Sequence, residues 1–159
     1  ISLTTLFKGL TEERDLLLLL LQGKLSAADV RRLKPESFTL ASGRKLVDIA
    51  RTHLDPDGRI ILRAVLDEAA EDPECSDLAT ELSMREDYFD DVPAHTQACL
   101  DNLDRKRTER ALRDLIERLK TAEREGRVDE AGSLNVQINE VRMRKAGTLS
   151  AGVVTLVKE

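Results

Sequence analysis

Apolar residues recur at helical spacing along most of the chain, and one stretch departs from this by being apolar on every face. It is Leu16–Leu21, a run of six leucines with acidic residues before it and Gln22-Gly23 after it. A helix that is apolar all round is normally surrounded by other elements. The run rises only about 9 Å, whereas roughly 20 apolar residues are needed to span a bilayer. We therefore expect it at the centre of a helical bundle in a soluble chain.

Caps and breakers divide the first 92 residues into short helices. Thr11 is predicted to cap the leucine helix, Gly23 to end it, and Asp55–Gly58 to form a turn. Tyr88 and Phe89 are predicted to pack inward. The predicted helices span residues 11–22, 26–33, 40–54 and 59–71, with a short fifth one near residues 78–84 and a lead-in segment at 1–10.

Two long helices are predicted after residue 92. No breaker occurs between Pro93 and Gly126, which allows a helix of about 33 residues. Asp104–Arg110 is almost free of apolar residues, so the helix is expected to leave the bundle there, either continuing or bending. A turn at Gly126 leads into a last helix, and two amphipathic helices joined by a tight turn should pack antiparallel.

These elements predict an all-α protein. An N-terminal bundle of five or six short helices occupies residues 1–104, and a C-terminal helical hairpin occupies 105–147, built on the long helix. Residues 148–159 form a tail that is either an added strand or flexible.

The predicted hairpin has an inner seam and an outer stripe. Its packing residues are Leu112, Leu115, Leu119, Leu134, Ile138 and Val141, which follow a heptad-like spacing. The outer stripe on the last helix consists of Gly132, Val136, Asn139, Glu140 and Met143. A two-helix arm cannot cover both faces of one helix, so this stripe is either tolerated in solvent or is an interaction face.

Composition narrows the possible partners. The chain is 41% hydrophobic and 35% charged but only 3% aromatic, and its net charge is −5. Few aromatic residues argue against base stacking, and a net negative charge argues against a DNA-binding surface. Basic residues Arg105, Lys106, Arg107 and Arg110 alternate with acids, which favours a salt-bridged helix face. We expect no direct nucleic-acid partner.

Catalytic and metal-binding patterns are not found in the sequence. The eight glycines are scattered, and neither His53 nor His95 belongs to a cluster with metal-ligand spacing. Cys75 and Cys99 are predicted to be buried thiols in a reducing compartment. The acidic group at 86–91 does not fit an EF-hand loop. We therefore expect no catalytic residue, metal, cofactor or small-molecule ligand.

The ordered set of segments resembles the C-terminal helicase-binding domain of the bacterial replicative DNA primase, over about residues 10–147. No single motif carries the resemblance. The matching segments are ERDLLLLLL at 13–21, VRRLKPESF at 30–38, LVDIA at 46–50, DLATELSM at 77–84, HTQACLDNL at 95–103 and LRDLIERLKTAEREGRVDEAGSLNVQINEV at 112–141.

The resemblance implies a non-catalytic part of a primase. Its hairpin would dock on the N-terminal domains of the hexameric replicative helicase, and its bundle would help to modulate helicase activity. Nothing matches the family's zinc-binding and RNA-polymerising domains, so this chain is not expected to be an enzyme. Its expected location is the bacterial cytoplasm, at the replication fork. The implied contact residues are Val136, Asn139, Glu140 and Met143, with Arg142 and Arg144 as rim charges.

A second resemblance covers the hairpin alone. Residues 115–141 are similar to the helix-turn-helix pairing hairpin of nucleotide-excision-repair subunits, which leaves the leucine-rich bundle unexplained. A small helical enzyme or nucleic-acid-binding domain is the remaining alternative, and the mixture of charges argues against it.

Overall fold

The protein is all-α, as predicted. The computed structural model describes residues 2–149, with side chains through residue 145, and this part contains no strand beyond an isolated bridge between Leu54 and Ile60. The helices are α1 Leu3–Leu6, α2 Thr11–Leu21, α3 Ala27–Arg32, α4 Ala41–Thr52, α5 Leu62–Ala69, α6 Pro73–Ser83, α7 Val92–Arg124 and α8 Val128–Leu149, with a 3-10 turn at Pro35–Ser37.

The leucine run occupies the centre of the first compact unit, as predicted. All six leucines of α2 are between 0% and 2% exposed. Their neighbours in the core come from α1, α3–α6 and the first part of α7. Helix α2 ends at Gly23 (φ +69°), where the Lys24 N–H donates to the Leu19 carbonyl at 3.0 Å. This is the Schellman arrangement, in which glycine adopts the left-handed conformation without a β-carbon penalty.

The beginning of the chain differs from the prediction in two ways. The cap position of α2 is Leu10, without a side-chain hydrogen bond, and Thr11 is the first helical residue, so the predicted Thr11 cap is wrong. Residues 3–6 form helix α1 rather than a lead-in, and Leu3 and Phe7 are buried in the core. Their burial explains the helix, because four residues gain little from backbone hydrogen bonds alone.

Helix α5 begins at Leu62, three residues after the predicted start, because of the structure of the connection from α4. The Asp55 carboxylate accepts hydrogen bonds from the N–H groups of Asp57 (2.9 Å) and Arg59 (3.0 Å), which confirms the predicted turn. The chain then pairs briefly with itself, since the Ile61 N–H donates to the His53 carbonyl at 2.8 Å. Backbone groups used in this pairing cannot begin a helix.

Residues between α6 and α7 lie closer to solvent than predicted. Tyr88 is 80% exposed, so its predicted inward packing is wrong. Phe89 does pack against the core and stacks on the ring of His95, with the ring centroids 4.7 Å apart. Helix α7 begins beyond Asp91, whose carboxylate accepts a hydrogen bond from the Ala94 N–H at 3.1 Å. This cap satisfies one of the free N–H groups at the helix start.

Helix α7 is continuous through residues 104–110, where the sequence left a bend open. The chain divides into two compact units after Asp104, within this helix. In the first unit, Arg32 pairs with Asp101 at 3.0 Å and Asp104 at 2.9 Å. In the second unit, Arg105 and Glu109 form an i,i+4 ion pair at 3.0 Å on the polar stretch.

The second unit contains the rest of α7, a turn at Gly126 (φ +72°) and α8. The Arg127 N–H donates to the Ala122 carbonyl at 2.9 Å, so α7 ends in the same way as α2. Helix α8 extends to Leu149, and residues 150–159, which include most of the predicted tail, lie outside the described part of the chain. Among residues 2–149, no helix combines the length and apolar character needed to cross a bilayer.

Candidate functional site

Helix α8 has one buried face and one exposed face. Leu134, Ile138 and Val141 are 1%, 3% and 8% exposed, whereas Val136 and Met143 are 57% and 75% exposed. At 100° per residue, the three buried side chains lie within about 60° of one another, on the side opposite Val136 and Met143. The helix therefore uses only half of its surface to pack within its own unit.

The predicted contact residues lie on the exposed side but not all together. Val136, Asn139 and Met143 fall within about 60° around the helix axis. Arg142 flanks this set on one side, and Glu140 and Arg144 lie on the other. All six predicted residues are exposed: Val136, Asn139, Glu140, Arg142, Met143 and Arg144. The structure thus separates three central residues from three charged residues at the margins.

The structure adds Val128 to this face. It is 77% exposed and begins α8, eight residues before Val136 and fifteen before Met143. Those spacings place Val128 about 80° from Val136 and about 60° from Met143 around the helix axis, and they extend the exposed apolar row to about 22 Å. Gly132 lies between them, and a β-carbon built there would meet no atom within 4 Å. The spacing 128, 136 and 143 in the sequence could have identified Val128, which the predicted stripe lacks. With Val128 added and Glu140 moved to the margin, the outer stripe in the structure consists of Val128, Gly132, Val136, Asn139 and Met143.

The predicted packing residues occupy the opposite side. Leu134, Ile138 and Val141 are buried, and Leu112, Leu115 and Leu119 on α7 are half-buried. Ala122, which is 0% exposed, belongs with them. An ion pair of 3.8 Å joins Lys145 to Glu109, residues that lie at almost equal distances along the chain from the turn at Gly126.

The second candidate site is a group of three polar side chains in the first unit. The Nε2 atom of His95 is 2.8 Å from Oδ2 of Asp15 and 3.6 Å from Sγ of Cys99. Asp15 and Cys99 are 4% and 3% exposed, while the His95 side chain is 35% exposed. Among the described residues, this is the one group in which three potential metal-ligand side chains converge, their donor atoms all within 4.8 Å of one another.

The surroundings of this cluster hold the Asp15 carboxylate in place and keep the Cys99 thiol protonated. Arg14 binds the other carboxylate oxygen of Asp15, Oδ1, at 3.1 Å and leaves Oδ2 directed at His95. Burial away from water, followed by the negative charges of Asp15 and Glu12, raises the pKa of the Cys99 thiol to about 11. Without a cation, Cys99 is therefore a neutral thiol near pH 7.

In the sequence His95 belongs to no cluster with metal-ligand spacing, whereas the structure brings its ring close to Asp15 and Cys99. His95 and Cys99 have an i,i+4 spacing, which places both on one side of α7. Asp15 comes from α2, 80 residues earlier, and only the packing of α2 on α7 brings it to them. Both thiols are buried as predicted, but Cys75 has only a carbonyl, that of Ser42 at 3.9 Å, as a hydrogen-bond acceptor.

Three of the other polar groups singled out in the sequence have partners in the structure. Asp87 in the acidic segment pairs with Arg85 at 3.0 Å, and Asp91 caps α7. His53 contacts Glu68 at 3.0 Å, without a thiol beside it.

Comparison with known proteins adds no assignment. No protein-family model, curated protein or solved structure matches this chain.

Proposed function

We propose that this chain is a non-catalytic interaction domain of a bacterial primase, and that it binds the N-terminal domains of the hexameric replicative helicase. The observation that carries the proposal is the outer stripe of α8, which stays exposed while the opposite face is buried. The resemblance to the primase helicase-binding domain names the partner. The expected location is the cytoplasm, at the replication fork, and docking of this kind requires no cofactor.

In the arrangement that we propose, residues 105–147 form an antiparallel helical hairpin and residues 1–104 the preceding bundle. The ion pair between Lys145 and Glu109 supports the antiparallel pairing, because the two residues lie almost equally far from the turn at Gly126. Burial of Leu134 and Ile138 supports a single inner seam. A hairpin of this kind leaves the outer stripe for a partner.

The composition of the exposed face suits protein binding. Val128, Val136 and Met143 place apolar area along the middle of the face, and Glu140 and Arg142 lie at its margins. Protein interfaces commonly have an apolar centre with a polar rim. A helix that binds in a groove of its partner makes contact through apolar residues one and two turns apart on a single face, as in this row.

The biological consequence is tethering. A polymerase attached to the helicase acts at a raised effective concentration at the fork without any change in its catalytic site. The same contact gives the first unit a position from which to modulate helicase activity.

The decisive experiment mixes the whole chain with a bacterial replicative helicase and measures the mass of the complex by light scattering after gel filtration. Deletion of residues 128–159 should abolish binding, while the remaining chain keeps the circular dichroism expected for its helices. If the truncated chain binds as tightly as the whole, the docking surface is assigned wrongly.

A matched pair of variants tests the outer stripe itself. Met143→Asp places a charge in the apolar row and should weaken binding at least about tenfold, since burying an unpaired charge is costly. Gln137→Asp introduces the same side chain on α8, also three residues from Glu140, but outside the row. It should bind like the unmodified chain. Equal losses in the two variants would contradict the proposal.

The alternative partner is another helical hairpin, as in nucleotide-excision-repair subunits. The outer stripe would serve this pairing equally well, so the choice depends on which protein binds. Binding to a hairpin of that type without binding to the helicase would favour the alternative. A nucleic-acid-binding role has less support, since basic residues such as Arg105 are paired with acids.

A further inference from the structure

We propose that Asp15, His95 and Cys99 form a zinc-binding site in the first unit, with a water molecule as the fourth ligand. The site lies outside α8 and is independent of the docking proposed above. It departs from the sequence-based expectation that the chain binds no metal, because that expectation rests on ligand spacing along the chain and Asp15 lies 80 residues from His95.

The donor atoms have the chemistry that zinc prefers. Zinc binds thiolate sulfur, imidazole nitrogen and carboxylate oxygen, most often in tetrahedral geometry. One carboxylate, one thiolate and one neutral imidazole together neutralise the charge of a Zn²⁺ ion. On binding, the thiol proton of Cys99 leaves to solvent, and the imidazole carries its remaining proton on Nδ1, which frees Nε2 to bind the metal.

Two of the three donor separations can be compared directly with those of a tetrahedral zinc site, and the third, between Asp15 and Cys99, is at most 4.8 Å. Zinc–ligand bonds of about 2.3 Å to sulfur and 2.0–2.1 Å to nitrogen imply a sulfur–nitrogen separation of roughly 3.6 Å in a tetrahedral site. The observed separation between Cys99 Sγ and His95 Nε2 is 3.6 Å. The corresponding nitrogen–oxygen separation is about 3.3 Å. The observed 2.8 Å between His95 and Asp15 must therefore open by about 0.5 Å, which a small rotation of either side chain provides.

A catalytic Cys-His-Asp arrangement is the competing explanation for the same residues, and the geometry argues against it. In a catalytic triad, the nucleophile and the acid contact opposite ring nitrogens of the histidine, so that the ring can take up a proton and be oriented. Here the thiol and the carboxylate both face Nε2. Convergence of three donors on one point is the arrangement of a metal site.

Neighbouring groups hold the donors in place. Arg14 fixes the Asp15 carboxylate through Oδ1, and Phe89 stacks on the His95 ring at an interplanar angle of 19°. Such contacts orient the ligands of metal sites. The partial exposure of His95 leaves a route for the ion and for the water. Bound zinc would join α2 to the start of α7, which lie about 80 residues apart in the chain.

The test is a titration of the full, tag-free chain with Co²⁺, a spectroscopic substitute for zinc. We expect one ion per chain, the intense visible bands of a tetrahedral site and a thiolate-to-cobalt charge-transfer band, all removed by added Zn²⁺. A titration that shows no thiolate band overturns the proposal.

Two cysteine variants locate the site. Cys99→Ala should remove the charge-transfer band and lower zinc affinity at least about 100-fold, because changes in the surroundings of a ligand alone cost 10–100-fold. Cys75→Ala is the matched control, since Cys75 is an equally buried free thiol without an imidazole beside it. It should retain the band. Retention of the band in Cys99→Ala, or its loss in both variants, contradicts the assignment.

A second variant keeps the proposal testable if Cys99→Ala does not fold. His95→Gln changes a partly exposed side chain and should also lower affinity about 100-fold. His53→Gln is its control, because His53 faces a carboxylate without a thiol. At zinc about 100-fold above the dissociation constant, the unmodified chain and the His53 variant should melt about 10 °C higher, and the His95 variant should not. Equal shifts in both histidine variants overturn the proposal.

Discussion

Helices α2 and α8 differ in how much of their surface their own chain covers. Every side chain from Leu16 to Leu21 is at most 2% exposed, whereas α8 alternates between buried Ile138 and exposed Val136. The first unit therefore has a closed core, whereas α8 in the second unit buries only one of its faces. A helix left half-covered has surface available for a partner, whereas the leucine run of α2 has none and serves the core.

The largest expected effect on stability comes from truncating a buried leucine in the core of the first unit. Leu18→Ala should lower the free energy of unfolding by roughly 2–5 kcal/mol, because it removes buried methyl groups and leaves a cavity. Urea denaturation followed by circular dichroism measures this. Leu62→Ala, at a side chain that is 38% exposed, is the control and should cost clearly less. Equal losses of unfolding free energy in the two variants would show that Leu18 is packed no more tightly than the partly exposed Leu62.

The next effect compares the two faces of α8. Ile138→Ala should destabilise the second unit by about 2 kcal/mol or more, while Val136→Ala should change its stability by no more than about 0.5 kcal/mol. Amide hydrogen exchange along α8 reports both. Similar losses of protection in the two variants would mean that the exposed face contributes to folding.

Two glycines of the second unit should respond to alanine with opposite signs. Gly126→Ala places a β-carbon on a left-handed residue (φ +72°) and should cost about 1 kcal/mol. Gly132→Ala lies in a helix with open space around it and should stabilise α8 by about 0.5–1 kcal/mol. Thermal unfolding of the two variants beside the unmodified chain tests the signs. Destabilisation by Gly132→Ala would indicate a contact on the outer stripe.

The last effect concerns the thiol in the closed core, and near neutral pH it is the smallest. The pKa of Cys99 rises from 9.0 to about 11, mainly through burial. The Cys99 thiol therefore stays protonated to a higher pH in the folded state than in the unfolded state. This contribution to stability is complete below pH 9.0 and is lost as the pH rises toward about 11. Metal-free Cys99→Ala should show a flatter decline of stability over this interval. If the stability of the variant declines as steeply as that of the unmodified chain, the pH dependence comes from groups other than Cys99.

Much of the local structure followed from sequence, and the failures share a cause. Breakers at Gly23 and Gly126 ended their helices as predicted, because a left-handed residue is a local requirement. Thr11 did not become a cap and Tyr88 stayed exposed, while Leu10 and Phe89 beside them packed against the core, which spacing along the chain does not reveal. Helix α1 formed for the same reason, since Phe7 gained a place in the core.

The candidate sites show the same division. Spacing alone predicted which α8 residues share a face, because a helix fixes the angle between successive side chains. Spacing also contained the His95–Cys99 pair, but Asp15 belongs to a helix about 80 residues away. Partners from separate helices cannot be paired without knowing how the helices pack.

By itself the sequence determined the all-helical class, the buried leucine run and the two faces of α8, since these depend on composition and on the period of one helix. Only the tertiary structure decided that a carboxylate, an imidazole and a thiol meet in the core and that Val128 stays exposed beside Val136 and Met143. The reason is physical: helical periodicity acts over a few residues, whereas convergence and exposure result from which helices exclude water from one another.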